Sequence, residues 1–174
     1  MLKLQLGRLK HDTGFHMPVN LIASCDPASY GFKELILKES LRFSGYAENI
    51  DGEIEIRGQL SATILYYCSR CGKSFASKYN LPFEEIYSNL DIVLDQASER
   101  DKHIYNGATI DFTPEALRSL FELIPMKPLC RDDCKGLCAE CGIDLNIQQC
   151  SCSENFPDPR WEKLRVMIEA GKGV

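Results

Sequence analysis

No stretch of this 174-residue chain approaches the roughly 18 consecutive apolar residues that a membrane-spanning helix needs. Its first residues, MLKLQLGRLKHD, alternate apolar and polar side chains and lack the apolar segment of a secretory leader. A cytoplasmic protein without a membrane partner is therefore expected. The chain also lacks G-x-x-x-x-G-K-[ST], G-x-G-x-x-G and G-x-S-x-G, so no phosphate-cradling loop, dinucleotide turn or nucleophile elbow is present. Histidine is scarce. His11, His16 and His103 lie apart in sequence in polar surroundings, and nothing local supports a Cys–His nucleophile. No enzyme and no small-molecule substrate are expected. Positive charge is in deficit too, with 20 Lys and Arg against 25 Asp and Glu and a formal net charge of −5. Adhesion to nucleic acid through net charge alone is not expected to be the main mode of binding, and an acidic balance suits basic partners.

Cysteine is what the chain has in excess. The run LCRDDCKGLCAECGIDLNIQQCSC places Cys130, Cys134, Cys138, Cys141, Cys150 and Cys152 in one segment, spaced C-x3-C-x3-C-x2-C-x8-C-x-C. Without a leader, such density points first to a metal: zinc takes four thiolates in a tetrahedron, whereas disulfides belong to oxidising compartments. Disulfides and an iron–sulfur centre remain as alternatives. Cys138 and Cys141, followed by Gly142, read as half of a zinc knuckle, with the glycine relieving crowding where backbone N–H groups turn toward sulfur. One zinc is expected, on Cys138 and Cys141 plus two of Cys130, Cys134, Cys150 and Cys152. Six tail thiols exceed four ligands, so two are spare or join Cys68 and Cys71 in a second site. That C-x2-C pair stands at a predicted hairpin tip before Gly72. A redox dithiol would open a helix, and the flanks here read as strands, so a structural or metal-bound pair is favoured over a thiol redox protein. Cys25 reads as a small apolar residue.

The clearest strand is Glu53–Tyr67, EIEIRGQLSATILYY, with Ile54, Ile56, Leu60, Ala62, Ile64 and Tyr66 on one parity and polar residues on the other. Gly58 interrupts the apolar face and suggests a bulge or bend. The stretch 41–47 and the Asp51–Gly52 turn signal predict an antiparallel neighbour before it, and the alternation of Phe75, Tyr79, Leu81 and Phe83 predicts a third strand after it. Leu2, Leu4 and Leu6 suggest a short edge strand, as do Val19, Leu21 and Ala23. Residues 34–41 fit either helix or strand, and 88–108 read as a mobile loop with short ordered pieces. Thr113 as a capping hydroxyl, Pro114, and Leu117, Leu120, Phe121 and Ile124 at helical spacing predict a helix ended by Pro125. Asp158–Pro159 opens another, with Trp161, Leu164 and Ile168 on one stripe. The fold class is α+β: an antiparallel β-rich body, either a meander or a partly closed barrel, over 1–112, then a helix, a small Cys-rich zinc hook and a terminal helix over 113–174.

Tyr66, Tyr67, Phe75 and Tyr79 flank the hairpin beside Arg70, Lys73 and Lys78, an interleaving that can stack single-stranded bases. Because one parity of each strand must be buried, packing of these rings into the sheet is the favoured reading. Asp132 and Asp133 read as a solvated turn.

The stretch from Ile124 to Cys152 resembles the cysteine-rich tail of the large ribosomal RNA subunit accumulation proteins, the YceD family. The matching features are P-x-K-P-L-C, D-C-K-G-L-C, C-x-x-C-G, D-L-N and the closing C-x-C, with DPRWEKL after them and CSRCGKSF upstream. The resemblance runs from about residue 45 to 168. It implies a cytoplasmic, non-enzymatic ribosome-biogenesis factor whose partner is a ribosomal RNA precursor or a ribosomal protein. Family branches that keep the hairpin cysteines without the tail cysteines make the metal a structural staple and the hairpin, with Arg70 and Lys73 at its tip, the expected binding surface. A zinc-bearing adaptor for an unrelated protein is the remaining alternative.

Overall fold

The computed structural model describes residues 1–89, 102–152 and 159–170. Two compact units divide between Asp132 and Asp133. In the first, β2 (His16–Ala23), β3 (Leu41–Ile50), β4 (Glu53–Tyr67), β5 (Ser74–Asn89) and β6 (His103–Tyr105) form one open sheet in that order. The first three junctions are antiparallel and β5–β6 is parallel, so the sheet is a meander with one parallel edge rather than a closed barrel. β1 (Lys3–Gln5) pairs instead with β7 (Thr109–Asp111) in a separate two-stranded sheet. Residues 34–41 form neither element in full: a single bridge joins Leu37 to Ile64 before β3 begins at Leu41. The loop expected within 88–108 lies largely outside the described residues.

Alternation in β4 sets the layering. Ile54, Ile56, Leu60, Ala62, Ile64 and Tyr66 are all buried, and they meet Phe43, Ala47, Val19, Phe83 and Tyr87 from the neighbouring strands. Asp51 and Gly52, both at positive φ (51° and 90°), form the two-residue turn that matches the twist of the β3–β4 hairpin. Gly58 produces no bulge, because the β3–β4 register runs unbroken from Arg42 opposite Ser61 to Ile50 opposite Glu53. It faces Gly45 on the core side. A Cβ at Gly45 would stand 2.1 Å from the Arg57 carbonyl oxygen, and one at Gly58 would stand 2.5 Å from that of Ser44. The two glycines let the strands pass closer than any side chain allows.

Helix α1 (Thr113–Phe121) seals this core with Ala116, Leu117 and Leu120, and its leading residue Phe112 packs edge-on against Phe43 at 5.1 Å between ring centroids. It belongs to the same compact unit as the sheet. Thr113 does not cap it. Phe112 holds the cap position without a side-chain bond, and the Thr113 Oγ1 accepts the Leu2 N–H at 2.7 Å while donating to Asp111 Oδ1 at 2.5 Å. The hydroxyl thereby ties the chain's start to the helix entry, with Asp111 also receiving the Thr113 N–H at 3.0 Å. The second unit holds the Cys138–Cys152 segment and α2 (Glu162–Ala170), preceded by a 3-10 turn at Pro159–Trp161. Among the described residues no helix is long and apolar enough to cross a membrane.

Candidate metal centre

Two turns of the same geometry carry the C-x2-C pairs. At the β4–β5 tip, the Cys68 N–H donates to the Lys73 carbonyl (2.9 Å) and the Gly72 N–H returns to the Cys68 carbonyl (2.9 Å). In the tail, the Cys138 N–H donates to the Ile143 carbonyl (2.8 Å) and the Gly142 N–H returns to the Cys138 carbonyl (3.0 Å). Tyr67 pairs with Ser74 across the first turn, and Leu137 bridges Asp144 across the second. Gly72 and Gly142 have φ of +70° and +71°, and a Cβ at either would meet nothing within 4 Å. The glycines are there for the left-handed backbone, not to relieve crowding.

These knuckles aim thiols inward, and the remaining tail cysteines complete two sets of four. The sulfurs of Cys138, Cys141, Cys150 and Cys152 all lie within 4.8 Å of one another, as do those of Cys68, Cys71, Cys130 and Cys134. The sequence leaves open which tail thiols accompany Cys138 and Cys141; the structure puts Cys150 and Cys152 beside them, with the Cys150 and Cys138 sulfurs 3.5 Å apart. Cys130 stands beside the hairpin pair, its sulfur 3.8 Å from that of Cys71. Of the two arrangements open to the sequence, spare thiols or a second site with Cys68 and Cys71, the grouping corresponds to the second, and each set could hold a metal ion. The first is the more enclosed, with Cys68 at 3% and Cys134 at 2% exposure, while Cys141 in the second is exposed.

Backbone donors prepare both knuckles for thiolate. The Cys68 thiol is pulled down to about 6, chiefly by the Cys130 N–H and then by those of Cys71 and Arg70. Cys138 is pulled down to about 7 by the N–H groups of Cys141 and then Glu140. Cys152 moves the other way, up to about 12, through its hydrogen bond with Cys141, burial and the negative charge beside it. Four sulfurs this close cannot all ionise without a cation among them, and a bound divalent ion reverses that repulsion.

Two residues around the thiols carry no local signal as ligands. Asn146 donates its N–H (2.9 Å) and side-chain amide (2.7 Å) to Asp144 Oδ1, accepts the Lys135 N–H at 2.8 Å, and points the same amide at the Cys134 sulfur, 3.5 Å away. The D-x-N spacing at 144–146 is visible in the sequence; its reach to a sulfur is not. Asn146→Ala is expected to weaken metal retention by about tenfold, the low end of what removing a group that orients a ligand costs. Competition against a chromogenic chelator measures it, and unchanged retention would make Asn146 a turn residue only.

Arg70 and Lys73 are exposed at the hairpin tip. The tip is anchored from below: the Ser69 N–H donates to the Pro128 carbonyl (2.8 Å), and Arg70 Nη1 reaches the Asp132 carbonyl at 3.4 Å. Of the rings weighed for stacking, Tyr66, Phe75 and Tyr79 pack together, with centroids 5.5 Å and 6.4 Å apart and the two tyrosine hydroxyls 2.9 Å apart. Tyr67 alone of these is turned outward. His103 lies between Glu85 (3.1 Å) and Glu115 (3.4 Å).

The family model of the large ribosomal RNA subunit accumulation protein YceD matches residues 56–167, which include β4 from Ile56 onward, the hairpin tip and every thiol of both sets. The chain belongs to the YceD family. A YceD relative in Arabidopsis thaliana, the chloroplastic "Large ribosomal RNA subunit accumulation protein YCED homolog 1", is 25% identical over 151 residues, covering 67% of this chain and 45% of that protein. Uncharacterised proteins of Mycobacterium tuberculosis and Mycobacterium leprae are each 27% identical, over 125 and 123 residues; both alignments cover 70% of this chain and cover 58% and 56% of those proteins. The chain therefore spans about half the length of the curated relatives it matches. No solved structure matches it. The YceD name denotes the accumulation of a ribosomal RNA, not a reaction.

Proposed function

We propose that this chain is a cytoplasmic, non-enzymatic ribosome-biogenesis factor that supports accumulation of large-subunit ribosomal RNA by binding precursor RNA or a ribosomal protein. One observation carries the reading: the family match covers the sheet's long hairpin and both thiol sets together. In this reading both sets hold structural zinc. Four thiolates with no open position suit zinc as a folding staple, where a catalytic site keeps a place for water or substrate.

The exposed hairpin tip is then the first contact, with Arg70 and Lys73 placed to meet phosphate or an acidic group. Affinity capture of the chain from cells, with sequencing of bound RNA and mass spectrometry of bound protein, tests the function directly. Large-subunit RNA or its proteins should be retrieved above other ribosomal material. Changing Arg70 and Lys73 together to glutamate should reduce that recovery severalfold while moving the thermal midpoint by no more than about 2–4 °C, the shift of about 1 kcal/mol for a chain of this size. Undiminished recovery would make the tip a scaffold. Recovery of no large-subunit material by the unaltered chain would overturn the ribosomal reading.

A further inference from the structure

The solvent face of the meander has two ends of opposite character. Toward the β3–β4 turn stand Glu48, the exposed Glu84 and the buried Glu55, and Arg57 there is committed, paired with Glu55 at 2.6 Å and with Glu84 at 3.2 Å. Toward the cysteine-bearing hairpin the acids thin out. Arg42, Ser61 and Asn80 form one row across three strands, and Thr63 and Lys78 form the next. These five residues, with Glu39, line a groove of about 430 Å³. Among the described residues Glu39 is the one carboxylate lining it, and it accepts the Thr63 hydroxyl at 3.0 Å. Arg42 and Lys78 are both exposed. Two aromatic rings stand on the same face at either side of this patch: Tyr67, 58% exposed beside Cys68, and Tyr46, 40% exposed opposite Arg57.

We propose that this face binds single-stranded RNA along the sheet, from Tyr46 through the Arg42–Lys78 groove to Tyr67 and the hairpin tip. The proposal deepens the ribosomal reading and rests on it. The ligand class follows from charge and shape. Two exposed cations over hydroxyl and amide side chains suit phosphate and ribose, and outward rings some ten residues apart along β4, about 33 Å at strand rise, suit unpaired bases that can stack. A duplex hides its base faces and would leave both rings idle. The path ends at the Tyr46–Arg57–Glu84 row, beyond which Glu48 and Glu55 stand, and this boundary reconciles RNA binding with a net charge of −5. Glu39 opposes phosphate in this arrangement.

The test uses the full chain and a fluorescently labelled RNA of about ten nucleotides, within the ~4–16 that one β-sheet binding fold covers. Anisotropy is followed across salt concentrations. Arg42→Gln with Lys78→Gln should weaken binding at least tenfold and lower the slope of log affinity against log salt by about 1.4, about 0.7 for each lost phosphate contact on a single strand. Tyr67→Ala should weaken binding by roughly 5-fold or more with the salt slope unchanged, as loss of stacking does. Glu39→Gln should tighten it. The proposal is overturned if the unaltered chain does not bind the RNA at micromolar concentration, or if the double variant keeps both affinity and slope. It is also overturned if nuclease-treated capture still retrieves a large-subunit protein while the RNA shows no binding; the ribosomal reading then stands with a protein as partner. Binding that depends on Arg42 and Lys78, in a chain that captures no ribosomal material, sinks the ribosomal reading and keeps the RNA face.

Discussion

Cys71→Ser should cost the chain one zinc ion and make the stretch around Cys130 and Cys134 open to protease. The hairpin set joins thiols 59 residues apart in sequence, Cys71 and Cys130, so its loss removes a long-range cross-link at the exposed tip. Structural zinc contributes about 10–16 kcal/mol of apparent binding free energy in small metal-folded units. Here a preformed sheet already holds Cys68 and Cys71, and the hydrogen bonds from Ser69 to Pro128 and from Arg70 to Asp132 supply part of the docking. The loss should therefore open the segment locally and leave the sheet's far-ultraviolet spectrum intact. Cys138→Ser with Cys141→Ser should remove the other ion and expose 138–152 to protease. If either variant unfolds the sheet cooperatively, the thiol sets are part of the main core and not staples laid on it.

Gly45→Val carries the second large effect, and it owes nothing to metal. Its Cβ would lie 2.1 Å from the Arg57 carbonyl oxygen and 2.6 Å from the Gly58 Cα, and both of those atoms are backbone. No rotamer change relieves such a clash; two central strands must separate. Overpacking a core costs about 1–3 kcal/mol where side chains can yield, and a backbone clash falls at or beyond that upper end. About 3 kcal/mol corresponds to a drop of roughly 6–12 °C in the thermal midpoint for a chain of this size. A midpoint within about 2 °C of the unaltered chain would mean the strands can part freely, and the close pass would then have no structural role.

The strands were legible because burial on one side imposes a period of two. Six apolar residues of one parity in β4 identify its core face, and Asp51–Gly52 can adopt the two positive φ angles a tight hairpin demands. Helix α1 was legible from its spacing, yet the role of Thr113 was not, since its partner Leu2 lies 111 residues away. Gly58 shows the same limit. A glycine breaking an apolar face fits a bulge or a close approach equally well, and only the Gly45 opposite it decides between them. The grouping of thiols was beyond sequence for a related reason. Spacing identifies the two knuckles, but Cys130, Cys134, Cys150 and Cys152 are all near enough in sequence to serve the tail pair. Which of them turns back to the hairpin depends on where the chain passes after α1. The open face was hidden too, because Arg42, Ser61 and Asn80 become neighbours only through strand register.

Native mass spectrometry of the chain, prepared freshly without added reductant or chelator, tests the two-staple arrangement most directly. The account predicts two zinc ions per chain, one after Cys71→Ser and one after Cys138→Ser with Cys141→Ser, with all cysteines reduced. A metal-free chain whose tail cysteines are joined in disulfides, or a single ion lost in both variants, would contradict it.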